Sequence, residues 1–351
     1  MKTDDVNKQL LGRREFNRLC AALGLTLPVV STILEVLASA SARAAATDAV
    51  SAGAVSTGAG RTVKFHDGII VPALGQGSWH LAQGRHPEAA EEEALRTGLT
   101  LGMTLIDTAE MYSDGRSEEL IGRVIAGQRD RVFLVSKVLP THTSGDGIAR
   151  ACAASLARLG TDHLDLYLLH WRNQDTDLSG VVAAFERLRA AGKIRAWGVS
   201  NFNVGDMEDL LRVPDGHRCA TNQIPYNVAS RGIEYDLLPW CEQHDMPVMA
   251  YSPLGSSNLV HDPALARIGA AHDCSATAVA LAWAIRSGNV IAIPESGSVA
   301  HVKENAEALS LTLTPPELQT LDAAYPIPWS DALRSLLGRG KRWLWSFRDA
   351  R

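Results

Sequence analysis

Two hydrophobic periodicities alternate along the chain from residue 64 to residue 297. Short apolar runs rich in β-branched and aromatic residues predict strands. The eight predicted strands cover residues 72–79, 104–109, 131–138, 164–171, 194–202, 219–227, 247–255 and 290–297. Segments with apolar positions at helical spacing lie between them and predict helices at residues 88–102, 117–127, 148–160 and 181–193. Three of these helical segments end on a glycine and the fourth has one next to its end, a common helix stop.

The order of these elements predicts an α/β fold. Eight strand–helix units at a spacing of roughly thirty residues favour a single closed (β/α)8 TIM barrel over an open doubly wound sheet. No Gly-x-Gly-x-x-Gly motif stands between the first predicted strand and the first helix, which argues against a Rossmann domain. We therefore assign residues 62–328 to the barrel.

A basic, then apolar, then small-residue pattern precedes the barrel. The arginine pair at 13–14 is followed by the uncharged residues 19–34 and by an A-x-A cleavage pattern that ends at Ala44. This order predicts that residues 1–44 are a twin-arginine signal peptide, recognised by the twin-arginine export machinery, and that the folded protein is periplasmic. The apolar run is shorter than the roughly 20 residues that span a bilayer and contains Pro28, so we expect no stable membrane span. The alternative is an amphipathic or disordered tail on a cytoplasmic protein.

Two further segments flank the predicted barrel. Residues 45–61 are small and polar and are typical of a flexible linker. Residues 329–351 form a C-terminal tail in which Trp343, Trp345 and Phe347 lie among basic residues. We expect the tail to cap a pocket or to dock on the barrel; contact with a membrane surface is the alternative.

Charge and cysteine content narrow the classes of partner. The whole chain has a net charge of −5, and residues 1–44 contribute +2, so the remainder carries −7. This balance gives no electrostatic reason to expect nucleic acid as a partner. Cys152, Cys219, Cys241 and Cys274 show no metal-ligand spacing, which favours buried free thiols over a metal site. We expect a monomer that acts on a small molecule.

Polar residues close nearly every predicted strand, and four of them make one chemical unit. In a parallel barrel the reactive side chains lie at the carboxyl ends of the strands. Asp107, Lys137 and His170 end successive predicted strands, and Tyr112 follows in the loop after the first of these. An ammonium beside a phenol favours its ionised form, a carboxylate fixes the ammonium, and a histidine can hold a carbonyl oxygen in line with the phenol proton. Such a site can protonate an oxygen while a hydride adds to the carbon. Each residue alone has a structural alternative, such as a rim salt bridge or a core histidine.

The motifs around these residues resemble the aldo-keto reductase family. The resemblance covers residues 63–328 and rests on "GQGSW", "IDTAEMY", "LVSKV", "LDLYLLHW", "WGVSNF", "NQIPYN" and "AYSPLG". Within the family, "GIEYDLLPWCE" is most similar to the bacterial methylglyoxal-reductase type. The resemblance implies a (β/α)8 barrel that binds NAD(H) or NADP(H) without a Rossmann fold.

The same resemblance implies a role for each matching residue. Tyr112 would be the proton donor, tuned by Lys137 and Asp107, and His170 would orient the substrate. Ser200, Asn201 and Gln223 would hold the carboxamide of the nicotinamide, with the ring stacked on Tyr251, and Ser252, Leu254 and Gly255 belong to the pyrophosphate loop. The implied substrate-facing side chains are Trp79, His80, His170 and Trp171.

The last predicted strand departs from the family pattern. Many members that use NADPH carry a Lys after the Pro of this strand and an Arg six residues later, but here these positions are Glu295 and His301. Ser296 is kept, and Glu304 and Asn305 match the residues near the adenine. A carboxylate opposes a 2′-phosphate and can accept hydrogen bonds from a free ribose 2′-hydroxyl, so we expect a preference for NAD(H). In the alternative, Glu295 turns to solvent and NADPH is tolerated.

These inferences predict an oxidoreductase that interconverts a small aldehyde or ketone, such as a 2-oxoaldehyde or a sugar, and its alcohol. Export would require the barrel to acquire its cofactor in the cytoplasm and to leave folded. The alternative function is a non-catalytic barrel that senses nucleotides or binds a partner. The four intact rim residues count against this alternative.

Overall fold

The computed structural model describes residues 61–65, 67–255 and 258–326. The predicted signal peptide, nearly all of the linker and the C-terminal tail lie outside the described residues, so their boundaries stay predictions. Among the described residues, no helix combines the length and the apolar character needed to cross a bilayer.

A two-stranded antiparallel hairpin opens the described chain. It consists of β1 (Thr62–Lys64) and β2 (Ile70–Pro72). Val63, Phe65 and Val71 are buried, and the Phe65 ring stacks on Phe133 at the start of a barrel strand, with 5.7 Å between ring centroids. The hairpin therefore packs against the amino-terminal end of the barrel, away from the strand ends that carry the polar residues.

Eight parallel strands follow in sequence order around the sheet. They are β3 (Gln76–Gly77), β4 (Leu105–Asp107), β5 (Phe133–Val138), β6 (Leu164–Leu169), β7 (Ile194–Ser200), β8 (Asn222–Pro225), β9 (Val248–Tyr251) and β10 (Val290–Ala292). Parallel bridges between Leu74 and Ala292 and between Gly77 and Glu295 join the last strand to the first. The prediction of a (β/α)8 barrel is confirmed.

Ten α-helices surround the strands. They are α1 (Glu88–Thr100), α2 (Arg116–Ile125), α3 (Gly147–Leu159), α4 (Leu178–Ala190), α5 (Val204–Arg212), α6 (Leu237–Gln243), α7 (Pro263–Ala271), α8 (Ala276–Ala284), α9 (Val299–Glu307) and α10 (Pro315–Ala324), counted within the described residues. One helix follows each strand from β3 to β8, and two follow each of β9 and β10. The four predicted helices match α1 to α4 within about three residues.

The core forms because alternate strand residues point to opposite faces of the sheet. In β6, Leu166 and Leu168 belong to one buried apolar cluster, whereas Tyr167 and Leu169 belong to the other, which packs beneath helices α2 to α4. All four are fully buried. Continuous apolar strands are expected in a parallel sheet that is covered on both faces.

Several predicted strands are longer than the observed ones. Residues 72–79 contain the two-residue β3 and the last residue of β2, residues 219–227 contain only Asn222–Pro225, and residues 290–297 contain only Val290–Ala292. The cysteines are free as expected: Cys152, Cys219 and Cys241 are buried, and Cys274 is half-buried.

Candidate active site

Four side chains meet at the carboxyl end of neighbouring strands. Asp107 is the last residue of β4, Lys137 lies one residue before the end of β5, and His170 directly follows β6. Tyr112 opens the 3-10 turn Tyr112–Gly115 after β4. The strand register pairs Lys137 with Leu168 and Asp107 with Val135, so the barrel places these side chains on one rim.

The Lys137 ammonium is the centre of this group. Nζ lies 2.6 Å from Asp107 Oδ2 and donates to Tyr112 Oη at 3.1 Å and to the Thr108 carbonyl at 2.9 Å. Its three donors thus have three acceptors, although the side chain is fully buried. Burial is the largest single effect and lowers the pKa of Lys137, but the charges and hydrogen bonds of Asp107 and Tyr112 together outweigh it, so the net pKa is raised. The ammonium is therefore charged throughout the neutral range.

Burial outweighs the ammonium at Tyr112. Desolvation raises the pKa of the phenol, Lys137 lowers it, and the charges of Asp107 and Glu295 raise it further. We expected Lys137 to pull the phenol toward ionisation; that contribution is present, but the net direction is upward because the hydroxyl is buried. Tyr112 is consequently a phenol, and a proton donor, at neutral pH.

His170 is a neutral ring beside the phenol. The ring centroids of His170 and Tyr112 are 5.8 Å apart in an edge-on arrangement. Burial, and then the Lys137 charge, lower the pKa of His170 to about 3. Its Nδ1 atom is buried and has no hydrogen-bond partner within the described part of the chain. A neutral imidazole can donate one hydrogen bond or accept one without adding charge.

The turn that carries Tyr112 has a left-handed backbone. Ser113 and Asp114 have φ values of 52° and 54°, and Gly115 has a φ of 87°. Ser113 Oγ donates to the Leu81 carbonyl at 2.7 Å, which ties the turn to the loop after β3. Consecutive left-handed residues are uncommon and require support from their surroundings.

A carboxylate that the sequence reasoning missed also anchors this turn. Glu110 Oε1 accepts the backbone N–H of Leu139 at 2.7 Å and lies 2.9 Å from His142 Nδ1. These contacts join the loop after β4 to the loop after β5. The motif "IDTAEMY" contains Glu110, but no sequence pattern shows that its carboxylate turns toward the neighbouring loop.

The residues predicted for the nicotinamide carboxamide form one connected set. Asn201 Nδ2 donates to Ser200 Oγ and to the His170 carbonyl, both at 3.1 Å, and Tyr251 Oη donates to Asn201 Oδ1 at 3.0 Å. Gln223 Nε2 donates to Asp107 Oδ1 at 2.7 Å. Ser200 Oγ donates to the Gln223 carbonyl at 2.9 Å, so these four residues are hydrogen-bonded to the rim through the Asp107 carboxylate and the His170 backbone carbonyl.

The turn after β9 contains the residues predicted for the pyrophosphate loop. Ser252 and Gly255 have φ values of 48° and 59°, with Leu254 between them, and the Ser252 carbonyl accepts from Asn227 Nδ2 at 2.9 Å. Residues 256–257 lie outside the described chain.

The residues that differ from the family pattern after the last strand line a pocket of their own, apart from the four rim residues. Glu295, Ser296 and His301 surround it together with residues of the loop after β3, among them His80. Glu295 Oε2 accepts the His80 backbone N–H at 2.8 Å, so this carboxylate is not turned to solvent. On α9, Glu304 is half-buried and Asn305 is buried, and Asn305 Oδ1 has no partner among the described residues.

The predicted substrate-facing side chains form two contacting pairs, Trp79 with His80 and His170 with Trp171. Trp79 is exposed and Trp171 is half-buried, with the Trp171 ring centroid 4.9 Å from that of His170. His80 stacks on Trp79 at 4.6 Å, but its Nδ1 faces Glu295. Met111, beside Tyr112, is an exposed apolar residue that the sequence reasoning did not single out. No cluster of metal-ligating side chains is present in the described part of the chain.

Comparison with known proteins agrees with this geometry. The sequence profile described as "Aldo/keto reductase family" matches residues 73–326. Methylglyoxal reductase YeaE of Escherichia coli is 49% identical over 273 residues, which cover 76% of this chain and 96% of that protein. Glyoxal reductase of Bacillus subtilis is 32% identical over 265 residues, which cover 75% of this chain and 92% of that protein.

Solved structures give the same result. An aldo/keto reductase from Klebsiella pneumoniae in complex with NADP and acetate is 49% identical, with a TM-score of 0.73, over 77% of this chain and 97% of that chain. A Klebsiella pneumoniae aldo-keto reductase in complex with NADPH matches with the same identity and TM-score, over 96% of that chain. The protein described here belongs to the aldo-keto reductase family.

Proposed function

We propose that this protein reduces small 2-oxoaldehydes, with methylglyoxal and glyoxal as the test substrates, and uses Tyr112 as the proton donor. The protein is a carbonyl oxidoreductase that depends on a nicotinamide cofactor. The observation that carries the proposal is the chain of contacts from Asp107 through Lys137 to the Tyr112 hydroxyl, with the neutral His170 beside it. The relatives named for methylglyoxal and glyoxal reduction indicate the substrate class.

The alternative of a non-catalytic sensing or partner-binding subunit is wrong. The most similar curated proteins reported above are reductases, and the phenol and ammonium that such a subunit could lose are both in hydrogen-bonding contact here.

The described residues fit a nicotinamide dinucleotide. Asn305 Oδ1 is a buried acceptor without a partner, which matches an exocyclic amine of adenine. At the other end of the site, the amide and hydroxyl groups of Ser200, Asn201 and Gln223 match a carboxamide, and Tyr251 offers a ring face. A bound dihydronicotinamide supplies the hydride that adds to the carbonyl carbon.

The protein's own residues handle the proton. Tyr112 donates its hydroxyl proton to the carbonyl oxygen as negative charge develops there. The Lys137 ammonium, 3.1 Å from the phenol oxygen, stabilises that oxygen while the proton leaves, and Asp107 holds the ammonium in place. His170, neutral because it is buried, positions the carbonyl oxygen with a hydrogen bond and does not compete for the proton. In alcohol oxidation the same phenol oxygen collects the proton.

Preference for NAD(H) over NADP(H) is the finer part of the proposal and rests on Glu295. Its carboxylate remains in the pocket with Ser296 and His301, where it opposes a 2′-phosphate. The Klebsiella pneumoniae structures, which hold NADP or NADPH, argue for the other dinucleotide. Turnover with NADH and NADPH, measured before and after Glu295→Lys, tests the charge argument: the NADPH/NADH ratio of kcat/KM should rise by at least tenfold, about 1.4 kcal/mol. An unchanged ratio refutes it.

Steady-state kinetics test the substrate class. The ratio kcat/KM for methylglyoxal and glyoxal should exceed that for an aldose such as glucose by at least about tenfold, since the relatives named for methylglyoxal and glyoxal reduction indicate this substrate class. Tyr112→Phe is the matched control, because it removes the proton donor and keeps the ring. A higher kcat/KM for the aldose would move the assignment to sugars.

Export by the twin-arginine pathway is also proposed, on the pattern of residues 1–44 alone. A tagged protein should fractionate with the periplasm, and Arg13→Lys combined with Arg14→Lys should retain it in the cytoplasm. If both forms are cytoplasmic, the leader does not function and the enzyme acts inside the cell. Mass analysis of dinucleotide that copurifies with the exported form would show whether cofactor is loaded before export.

A further inference from the structure

His80 and Glu295 join the first and last strands of the barrel through their side chains. The backbone of Glu295 is bridged to Gly77, three residues before His80. Glu295 Oε2 accepts the backbone N–H of His80 at 2.8 Å, and His80 Nδ1 lies 3.1 Å from Oε1 and 3.2 Å from Oε2. A proton on Nδ1, which the cationic ring and one neutral tautomer both carry, makes the second contact a hydrogen bond.

The histidine ring is itself held in position. Its other neighbour is Trp79, which stacks on it with 4.6 Å between ring centroids and 25° between ring planes. The His80 and Glu295 side chains are 29% and 25% exposed, so the pair sits at the edge of the protein rather than in solvent. With two donors from one residue, the carboxylate has little freedom to rotate outward.

The pocket beside the pair contains the groups that would face the adenosine 2′ position. Ser296 and His301 line it, together with Arg85 and His86 of the loop after β3. Glu91 of α1 also lines it; this carboxylate is fully buried, and its Oε2 accepts the backbone N–H of Ala82 at 2.8 Å. Glu91 is fixed by this contact, whereas the Glu295 carboxylate, without a restraint, could leave the pocket, which would then lose one of its two carboxylates. What retains the Glu295 charge in the pocket therefore contributes to its selectivity.

We propose that His80 is a positioning residue for cofactor selectivity, which holds the Glu295 carboxylate in this pocket so that it opposes a 2′-phosphate and accepts a hydrogen bond from a free 2′-hydroxyl. The inference rests on the proposed function, because it requires a dinucleotide to bind at this edge of the barrel. It gives His80 a role on the cofactor side, in addition to the substrate side predicted from the sequence.

Calorimetric titration of the purified protein with NAD⁺ and NADP⁺ tests the proposal without reference to turnover. His80→Leu removes the side-chain donor and should shift the affinity ratio toward NADP⁺ by at least about fivefold. His80→Asn, whose amide nitrogen can replace Nδ1, should stay within about twofold of the unmodified protein. In a Glu295→Gln background, His80→Leu should change the ratio by less than about twofold, since the two effects share one interaction.

The control is a histidine–carboxylate pair at the other end of the barrel. His163 Nδ1 lies 2.7 Å from Asp162, just before β6, and His163→Leu should leave the ratio unchanged. The proposal is overturned if His80→Leu leaves the ratio of NAD⁺ and NADP⁺ affinities unaltered or shifts it toward NAD⁺. It is also overturned if His80→Leu shifts the ratio equally in the unmodified protein and in the Glu295→Gln background. If the unmodified protein binds neither dinucleotide, the proposed function fails as well, which is a separate result from binding with an unaltered ratio.

Discussion

At the scale of single residues, the side chain that carries the positive charge is not the side chain that donates the proton. Lys137 is fully buried and stays charged because Asp107 pairs with it, whereas Tyr112 and His170 are half-buried and stay neutral. A neutral phenol can give a proton only if the oxygen that remains is stabilised, and the ammonium lies 3.1 Å from that oxygen. The different burial and pairing of three neighbouring groups therefore assign their roles.

Removal of the phenol hydroxyl should abolish turnover without loss of cofactor. Tyr112→Phe keeps the ring beside His170 but has no proton to donate, so kcat for methylglyoxal reduction should fall by about 10²- to 10⁴-fold. Dinucleotide affinity, measured by quenching of tryptophan fluorescence, should remain within about twofold. A variant that keeps more than a tenth of its kcat would show that another group protonates the substrate.

The depressed pKa of His170 predicts a pH-dependent loss of stability. The pKa falls from the ordinary 6.5 to about 3 on folding, so the unfolded chain binds more protons between these values. The free energy of unfolding therefore keeps its full value above pH 6.5, the pKa of His170 in the unfolded chain, and decreases as the pH falls from 6.5 toward 3. Between pH 7 and pH 5 the loss should be about 2 kcal/mol in urea unfolding, and His170→Gln should lack this component. Equal pH dependence in the two proteins would contradict a ring that stays neutral in the folded protein.

At the scale of elements, the left-handed turn after β4 positions the phenol. A Cβ added at Gly115 would lie 2.6 Å from Arg158 Cδ, and Arg158 is held by the buried Glu118 at 2.7 Å. Arg158 could yield only by leaving that carboxylate partly unpaired. The turn thus depends on a glycine at one position and on contacts from two neighbouring loops.

A pair of glycine substitutions separates backbone strain from this contact. Gly115→Ala meets both a φ of 87° and Arg158, and should lower the free energy of unfolding by about 2–3 kcal/mol. Gly127→Ala meets a φ of 75° with no atom within 4 Å, and should cost only about 1 kcal/mol. Gly115→Ala should also lower kcat, because Tyr112 lies three residues away. Equal costs in urea unfolding would show that Arg158 adjusts freely.

Element types could be predicted from the sequence more reliably than element lengths. Helices α1 to α4 matched because each carries a helical apolar pattern and has a stop near its end, as at Gly160 after α3. The predicted strand over residues 72–79 shrank to Gln76–Gly77 because the flanking residues serve the barrel closure and the loop, which an apolar run does not reveal. Asn201 and Ser252, with positive φ, end β7 and β9 abruptly, and neither residue type by itself signals this.

The same limit applies to the site. Asp107, Tyr112, Lys137 and His170 could be placed together, since successive parallel strands end on one rim. The contacts of Gln223 with Asp107 and of His80 with Glu295 join residues 116 and 215 positions apart, and only the closed barrel brings them within reach. The net rise in the Tyr112 pKa also needed the structure, because burial of the hydroxyl is a property of the whole rim.

At the scale of the whole molecule, the candidate site crosses the line where the barrel closes. Gly77 N–H donates to the Pro294 carbonyl at 2.9 Å, and Gly75 N–H donates to the Ala292 carbonyl at 2.8 Å. A Cβ at Gly77 would lie 2.9 Å from the Ile293 carbonyl, so the close approach of the first and last strands requires a glycine there. The His80–Glu295 pair adds a side-chain contact across the same line.

Because the cofactor residues come from β7 to β9, from the turns that follow these strands and from the segment after β10 with helix α9, a dinucleotide should stabilise the barrel as one unit. Only the native state assembles these residues, so binding at 100 times Kd should add about 2.7 kcal/mol to the free energy of unfolding. The urea midpoint should rise in a single transition with an unchanged m value, since the surface exposed on unfolding is the same. ADP-ribose, which lacks the nicotinamide, should give a smaller shift at the same concentration because the contacts of Ser200, Asn201 and Gln223 are not made. If NAD⁺ and NADP⁺ at equal concentration raise the urea midpoint equally, the Glu295 carboxylate does not discriminate between them, and the proposed preference for NAD(H) is wrong.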